Sequence, residues 1–111
     1  MDIPLISTLI CTYNAESFIL KTLDSVVHQT YRNQEILIRD DWSKDTTVKI
    51  LQQYAKKDKR IKIYTSQEEW KKLGPYWGLN FLMDKSKWEY VAIQDHDDIW
   101  HTKKLNKQIY F

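Results

Sequence analysis

Apolar and polar positions along this chain alternate between two periods. Leu5-Ile6-Ser7-Thr8-Leu9-Ile10-Cys11 reads as a strand, stopped by Thr12-Tyr13-Asn14. Phe18, Ile19, Leu23, Val26 and Val27 then recur at helical spacing up to about Thr30. Asn14 is placed to cap that helix, and Glu16 stands in its first turn, where the helix dipole favours an acid. Ile36-Leu37-Ile38 is a short unbroken apolar run, as in a parallel strand covered on both faces, and it ends at Asp40-Asp41. Ser43 is placed to cap a second helix carrying Val48, Leu51, Tyr54 and Ala55 on one face. Ile61-Lys62-Ile63-Tyr64 returns as a third strand.

Thr65 to Gly74 is polar and aromatic and reads as a loop. Pro75 suits the first turn of a third helix, which would bury Trp77 or Gly78, Phe81 and Leu82. Lys87 to Gln94 forms a fourth strand, and Thr102 starts a last helix with Leu105 and Ile109 turned inward. Strands alternating with helices predict an α/β fold: a mostly parallel sheet with right-handed crossovers and helices on both faces. Without an internal repeat, low-complexity tract or linker, residues 1–111 read as a single domain.

Composition narrows the class. A hydrophobic fraction of 42% and an aromatic fraction of 14% exclude a disordered chain. No apolar run approaches the roughly 18–20 residues of a membrane span, and the N-terminus lacks a signal-peptide pattern. The formal net charge of +2 does not call for a nucleic-acid partner. Lys56, Lys57, Lys59, Arg60 and Lys62, and again Lys103, Lys104 and Lys107, read as solvated helix faces, with weak peripheral attraction to an anionic membrane as the alternative. The lone Cys11 has no disulfide partner within the chain and reads as a buried thiol of a cytoplasmic protein, at most one working at the inner face of the membrane.

Candidate chemistry gathers at strand ends. Asp95-His96-Asp97-Asp98 places three carboxylates within four residues, a repulsion that a hard divalent cation would relieve. In an open parallel sheet, ligands bind beyond the carboxyl ends of the strands, near a topological switch point. Thr12-Tyr13-Asn14, Asp40-Asp41 and Asp95 to Asp98 each follow a predicted strand, so three polar clusters share one edge.

Those blocks carry a resemblance. Leu9-Ile10-Cys11-Thr12-Tyr13-Asn14-Ala15-Glu16, Leu23-Asp24-Ser25-Val26 with Gln29-Thr30-Tyr31, and Asp40-Asp41-Trp42-Ser43-Lys44-Asp45-Thr46-Thr47 resemble the family-2 inverting glycosyltransferases of the GT-A fold. Asp95-His96-Asp97-Asp98-Ile99-Trp100, followed by Lys104-Leu105 and Gln108, is similar to that family's acidic motif and following helix in its rhamnosyltransferase-like form. The order and spacing of the blocks cover nearly the whole chain.

The resemblance implies a Rossmann-like nucleotide-binding half, a UDP- or dTDP-sugar donor, and a bound Mn²⁺ or Mg²⁺. It places Thr12, Tyr13 and Asn14 beside the base and ribose, with Asp40 and Asp41 accepting hydrogen bonds there. Asp95 would face the ribose side, and Asp97 would ligate the metal, with Asp95 as a second candidate ligand. Asp98 would shape the loop, Trp100 and Ile99 would anchor it, and His28, His96 and His101 would stay outside the site. Trp42 stands where the family carries a small residue, often glycine, and would wall the pocket. Trp77-Gly78-Leu79-Asn80 lacks the basic residue usual there, which Lys71 or Lys72 would have to replace.

Family members run to about twice this size, with an acceptor-binding half after the acidic motif that carries the catalytic base. By that comparison the chain is a donor-binding half, with its catalytic base beyond Phe111 and its saccharide, lipid or protein acceptor unread. Uncovered Ile109, Tyr110, Phe111 and strand-four edge then predict a homo-oligomer. The alternative is a non-catalytic nucleotide-sugar-binding module. A receiver domain or D-x-D phosphatase would carry its acids after the first strand, and a sugar nucleotidyltransferase would carry a glycine- and arginine-rich phosphate loop near the N-terminus.

Overall fold

A computed structural model of the chain describes residues 3–65, 74–87, 90–95 and 99–109. The elements in chain order are β1 (Ile6–Thr12), α1 (Ile19–Val27), β2 (Gln34–Asp40), α2 (Thr47–Lys57), β3 (Ile61–Thr65), α3 (Gly74–Lys85), β4 (Tyr90–Asp95) and α4 (Lys104–Ile109). The four strands form one sheet in the order β3-β2-β1-β4, with every pairing parallel. Successive crossovers step from β1 to β2 to β3, and the next returns to the far side of β1. With the crossover hand kept, that reversal puts α3 on the face opposite α1 and α2.

Two cores result. Ile6, Ile10, Ile36, Ile38 and Ile61 pack with Ile19, Leu23, Val26 and Val27 of α1 and Leu51 of α2. Trp100 and Leu105 close the end of that layer. On the other face Leu9 and Leu37 meet Leu82 of α3, with Leu79 and Phe81 alongside. The helical spacing in α1 is borne out, since its buried positions are Ile19, Thr22, Leu23, Val26 and Val27. The α/β architecture with helices on both faces is as predicted.

Several boundaries differ. All seven residues of β2 are buried, so the strand begins at Gln34 rather than at the apolar run. Its polar residues are tolerated inside because each is bonded. Thr8 donates to Gln34 at 2.9 Å, Gln34 donates to the Val26 carbonyl at 2.8 Å, and Glu35 accepts from Ser7 at 2.6 Å and from the Lys87 amide at 2.7 Å. Thr12 belongs to β1, and α1 starts at Ile19, after a turn in which the Phe18 and Ile19 amides donate to the Ala15 carbonyl. The last helix starts at Lys104 rather than Thr102.

Arg60 departs from the expected solvated face. Its guanidinium grips Asp58 at 3.0 and 2.8 Å and reaches the Val27 carbonyl at 3.1 Å, tying β3 to the end of α1. Ile99 is 61% exposed and anchors nothing in the core, whereas Trp100 is buried as expected. Tyr90 and Ile93 of β4 are exposed at one end of the sheet, the surface on which the expected self-association rests. The predicted loop before Gly74, with Lys71 and Lys72, and Tyr110 and Phe111 lie outside the described residues.

Gly78 is where α3 comes closest to the sheet. A Cβ there would stand 2.9 Å from the Cys11 sulfur and 4.0 Å from Cδ of Arg39. Gly78→Ala should therefore destabilise the fold by about 1–3 kcal/mol through overpacking, against a helix-propensity gain of up to about 1 kcal/mol. In a Cys11→Ala background the same change should be neutral or stabilising. Denaturant unfolding of the four proteins measures this, and an equal penalty in both backgrounds would refute the contact.

Candidate functional site

The strand order reverses at β1, so the crevice of this sheet opens where β1 and β4 end side by side. Cys11 pairs with Asp95 across that boundary, and Thr12 pairs with Asp40 on the other side. The chain therefore brings Thr12-Tyr13-Asn14, Asp40-Asp41-Trp42 and the start of the acidic segment to one edge. Asp97, the expected metal ligand, lies outside the described residues, as do His96 and Asp98.

Asp40 is the hinge of the arrangement. It is 1% exposed, and its carboxylate accepts from the Thr12 hydroxyl at 2.7 Å, from the Ser43 amide at 2.9 Å and from the Ser43 hydroxyl. The Ser43 hydroxyl in turn accepts from the Asn14 amide at 2.8 Å, and the Asn14 side chain accepts from the Lys44 amide at 2.8 Å. One carboxylate thus joins the loops after β1 and β2.

A second ring of bonds repeats the pattern one turn further out. The Thr47 hydroxyl donates to Asp45 and accepts from the Ala15 amide at 2.8 Å, while the Glu16 amide donates to Asp45 at 3.2 Å. Glu16 answers by accepting from the Thr46 amide at 2.9 Å and the Thr46 hydroxyl at 2.6 Å. Each loop supplies acceptors to the amides of the other. Asn14 and Ser43 are accordingly not helix caps, as the sequence predicted, because their side chains are spent on this exchange. Asn14 instead turns the chain with φ at 45°.

Two aromatic side chains sit exposed beside this lock. Tyr13 is 42% and Trp42 37% exposed. Trp42 adopts φ of 63°, a left-handed conformation uncommon for a bulky residue, which is retained where the surroundings over-determine it. Beneath them, Arg39 is 1% exposed, pairs with Asp41 at 3.7 Å and lies over the Phe81 ring at 5.0 Å. Burial pushes the neighbouring Cys11 thiol up to about 12, with Arg39 pulling it down and Asp41 pushing it up less strongly. Cys11 is half-buried rather than fully buried, and these surroundings favour its neutral thiol.

Sequence reasoning assigned no role to Ser25, Gln29, Asp45 or Thr47, although all stand in the blocks of resemblance. Ser25 accepts from the Trp100 amide at 3.0 Å. Fully buried Gln29 donates to the Ser25 and His101 carbonyls at 3.0 and 2.6 Å and accepts from the Leu105 amide at 3.0 Å. A polar residue directly after the apolar stripe of α1 was the available signal. Among the described residues, no three metal-ligating side chains come together. His28 and His101 are exposed. Among the described residues no helix is long and apolar enough to cross a membrane.

Residues 7–111 match the model of glycosyl transferase family 2. The chain is 39% identical over 108 residues to the putative teichuronic acid biosynthesis glycosyltransferase TuaG of Bacillus subtilis, covering 97% of this chain and 42% of that protein. It is 39% identical over 109 residues to the UDP-Glc:alpha-D-GlcNAc-diphosphoundecaprenol beta-1,3-glucosyltransferase WfgD of Escherichia coli, covering 98% of this chain and 41% of that protein. Among solved structures, TarS of S. aureus in complex with UDP superposes with a TM-score of 0.81 at 26% identity, over 95% of this chain and 31% of that one. The chain spans about two fifths of the length of each of these two curated relatives.

The outer ring of the lock is sensitive to acid. Burial works to raise the Asp45 carboxyl, but hydrogen bonds from the Thr47 hydroxyl and from the Thr47 and Glu16 amides outweigh it and hold the group below its ordinary value. A depressed folded-state value stabilises the fold above the unfolded value of about 4 and loses that contribution as pH falls through the lower folded value. Asp45→Asn should be the less stable protein at neutral pH, with the gap closing below about pH 4. Urea unfolding across a pH series measures this, and a gap that stays constant into acid would refute it.

Proposed function

Since the chain belongs to glycosyl transferase family 2, we propose that it carries the donor-binding half of a metal-assisted, inverting glycosyltransferase that moves a sugar from a nucleoside-diphosphate sugar to a hydroxyl acceptor. The observation that carries this reading is the convergence of the ends of β1, β2 and β4 at the reversal of strand order. A uridine nucleotide is favoured over a deoxythymidine one by two likenesses: WfgD is named for UDP-Glc, and TarS is solved with UDP.

The residues divide the work by place. Tyr13 and Trp42, the exposed aromatics after β1 and β2, offer flat faces to the base. Thr12 and Asn14, fixed through Asp40 and Ser43, form the wall beside the ribose. Asp40 and Asp41 set the acceptor groups of that wall, and Arg39 holds Asp41 by their ion pair. Asp95 continues the wall from β4, and Asp97 is the assigned ligand of Mn²⁺ or Mg²⁺, with Asp95 as the second candidate. Carboxylate oxygens are the donors such hard cations take, and the bound ion would neutralise charge on the leaving diphosphate. Deprotonation of the acceptor is assigned to residues outside these 111.

Calorimetric titration with UDP and dTDP, each with Mn²⁺ and with EDTA, tests the reading. UDP should bind more tightly with Mn²⁺, and Asp97→Ala should abolish the difference while leaving the fold intact. Equal affinity in Mn²⁺ and EDTA would overturn it. Assay of sugar transfer to a panel of acceptors separates an enzyme from a binding module.

Trp42 gives a second readout. UDP binding should quench or shift tryptophan fluorescence, and Trp42→Phe should remove most of that change although four other tryptophans remain. An unaltered signal in Trp42→Phe would exclude it from the pocket.

A further inference from the structure

Charge is sorted along the strand direction. In a sheet whose strands all run one way, each loop leading from a helix into a strand returns at the edge where the strands begin. That edge collects Arg32 ahead of β2, Lys57 and Lys59 ahead of β3, and Lys87 ahead of β4. Lys103 joins them from the stretch before α4, because the Thr30 amide in the loop before β2 donates to the Thr102 carbonyl at 2.8 Å. All of these side chains are exposed. Among the described residues the ion pair at this edge is Asp58 with Arg60, at 2.8 Å, and none of the others takes part in one. The exposed acids of the neighbouring helix ends are Asp24 and Asp84, so basic charge is in excess. The ends of the strands show the reverse. Glu16, Asp40, Asp41 and Asp45 follow β1 and β2, and Lys44 is the one basic residue of those two loops.

Two apolar side chains stand among the basic ones. Ile3, just before β1, is 57% exposed, and Tyr90, the first residue of β4, is 52% exposed. Both are held at the edge through the backbone. The Asn33 side-chain amide donates to the Ile3 carbonyl at 2.6 Å, and the Tyr90 amide donates to the Leu5 carbonyl at 3.3 Å. Neighbouring strands lie about 4.8 Å apart, so the four strand starts span only about 15 Å. Within that patch, cations that attract anionic headgroups surround an aliphatic and an amphipathic aromatic side chain of the kind that enters a membrane interface. A nucleic acid fits less well, because an exposed aliphatic tip such as Ile3 gains nothing from a phosphate backbone.

We propose that the edge where the strands begin is a docking surface for an anionic lipid bilayer, with Arg32, Lys57, Lys59, Lys87 and Lys103 against the headgroups and Ile3 and Tyr90 entering the interface. The sorted charge orients the chain as it lands. The basic edge is drawn to the bilayer and the acidic edge is repelled, so the ends of β1, β2 and β4 face away from the surface. Each basic residue adds a modest attraction that salt screens, so docking is reversible and depends on the basic residues acting together. The inference is independent of the donor-binding reading, since the two edges share no residue.

Cosedimentation of the whole chain with vesicles tests this, using phosphatidylcholine alone and phosphatidylcholine mixed with phosphatidylglycerol, at low and at physiological salt. Two double variants carry the same change in net charge. Lys59→Glu with Lys87→Glu alters the basic edge, and Lys21→Glu with Lys49→Glu alters exposed lysines in the first turns of α1 and α2, toward the other edge. The unsubstituted chain should bind the mixed vesicles and not phosphatidylcholine alone. The first double variant should lower the partition coefficient by about tenfold or more, and the second should leave it within about twofold. Ile3→Ser with Tyr90→Ser, which alters no charge, should lower it by about threefold or more at physiological salt. Circular dichroism checks each fold, and where a double variant fails to fold its single substitutions replace it. Equal losses in the two charge variants would overturn the proposal by reducing it to net charge, and equal binding to both vesicle types, or to neither, would overturn it outright. Tighter binding to a DNA oligonucleotide than to the mixed vesicles at the same salt would overturn it in favour of a nucleic-acid partner. Full binding by the Ile3 and Tyr90 variant would overturn its apolar half.

Discussion

A parallel sheet has to be covered on both faces, because its crossover connections lie over them and its central strands have no side to give to water. In this chain the demand falls hardest on β1 and β2, which run side by side from Ile6 against Gln34 to Thr12 against Asp40. Leu9 and Leu37 are wholly buried toward α3, and Ile10, Ile36 and Ile38 are wholly buried toward α1 and α2. Fully burying one such side chain contributes about 1.5–3 kcal/mol. The polar groups these strands do carry are paired across the β1–β2 boundary: Ser7 with Glu35, Thr8 with Gln34, Thr12 with Asp40. Other polar side chains are driven to the ends of the strands, which is why a ligand site built from polar side chains belongs at the carboxyl edge.

At that edge the same pairing logic continues into the loops. Thr12–Asp40 is the last rung of the β1–β2 boundary and the first bond of the lock that Ser43, Asn14, Thr47, Asp45 and Glu16 complete. Two of these bonds, Thr12 to Asp40 and the Ala15 amide to Thr47, are buried, and a buried polar group left unbonded costs about 1–3 kcal/mol, so they fasten the two loops to each other. Loops fixed in place beforehand lose less conformational freedom on binding any ligand. The strained φ of Trp42 fits that setting, since a neighbouring lock can hold a backbone conformation that a free loop would abandon.

How much of this was legible in the chain depends on which interactions carry it. Apolar periodicity is local, so the positions of the four strands, the buried stripe of α1 and the burial of Leu82 could be read directly. The shared edge followed from topology, because strand–helix alternation leaves few ways to connect a parallel sheet. The helix starts were misread for a physical reason. Asn14 and Ser43 have the chemistry of caps, but a cap serves its own helix, and here each side chain bonds across about thirty residues of chain to the other loop. Gln34 and Glu35 fall outside the apolar run that marked this strand, because the partners that let them be buried, Thr8, Ser7 and Lys87, are distant in sequence. Residue type showed what each side chain can bond; only the fold shows to what.

The element that joins these parts is α1. The turn before it, from Ala15 to Phe18, is fastened to the loop leading into α2 through Thr47, Asp45 and Thr46. Its last turn and the residues just after it are fastened to the stretch from Trp100 to Leu105 through Ser25 and Gln29. Between those fixings it presents Ile19, Leu23, Val26 and Val27 to the sheet. One helix therefore relates the loops after β1 and β2 to the stretch from Trp100 to Leu105, which have no consecutive stretch of sequence in common. Shifting α1 along its axis would carry both fastenings with it, while the sheet beneath stays in register. Relative placement of those two regions is thus tied to a helix that lies between them rather than to the chain running through either.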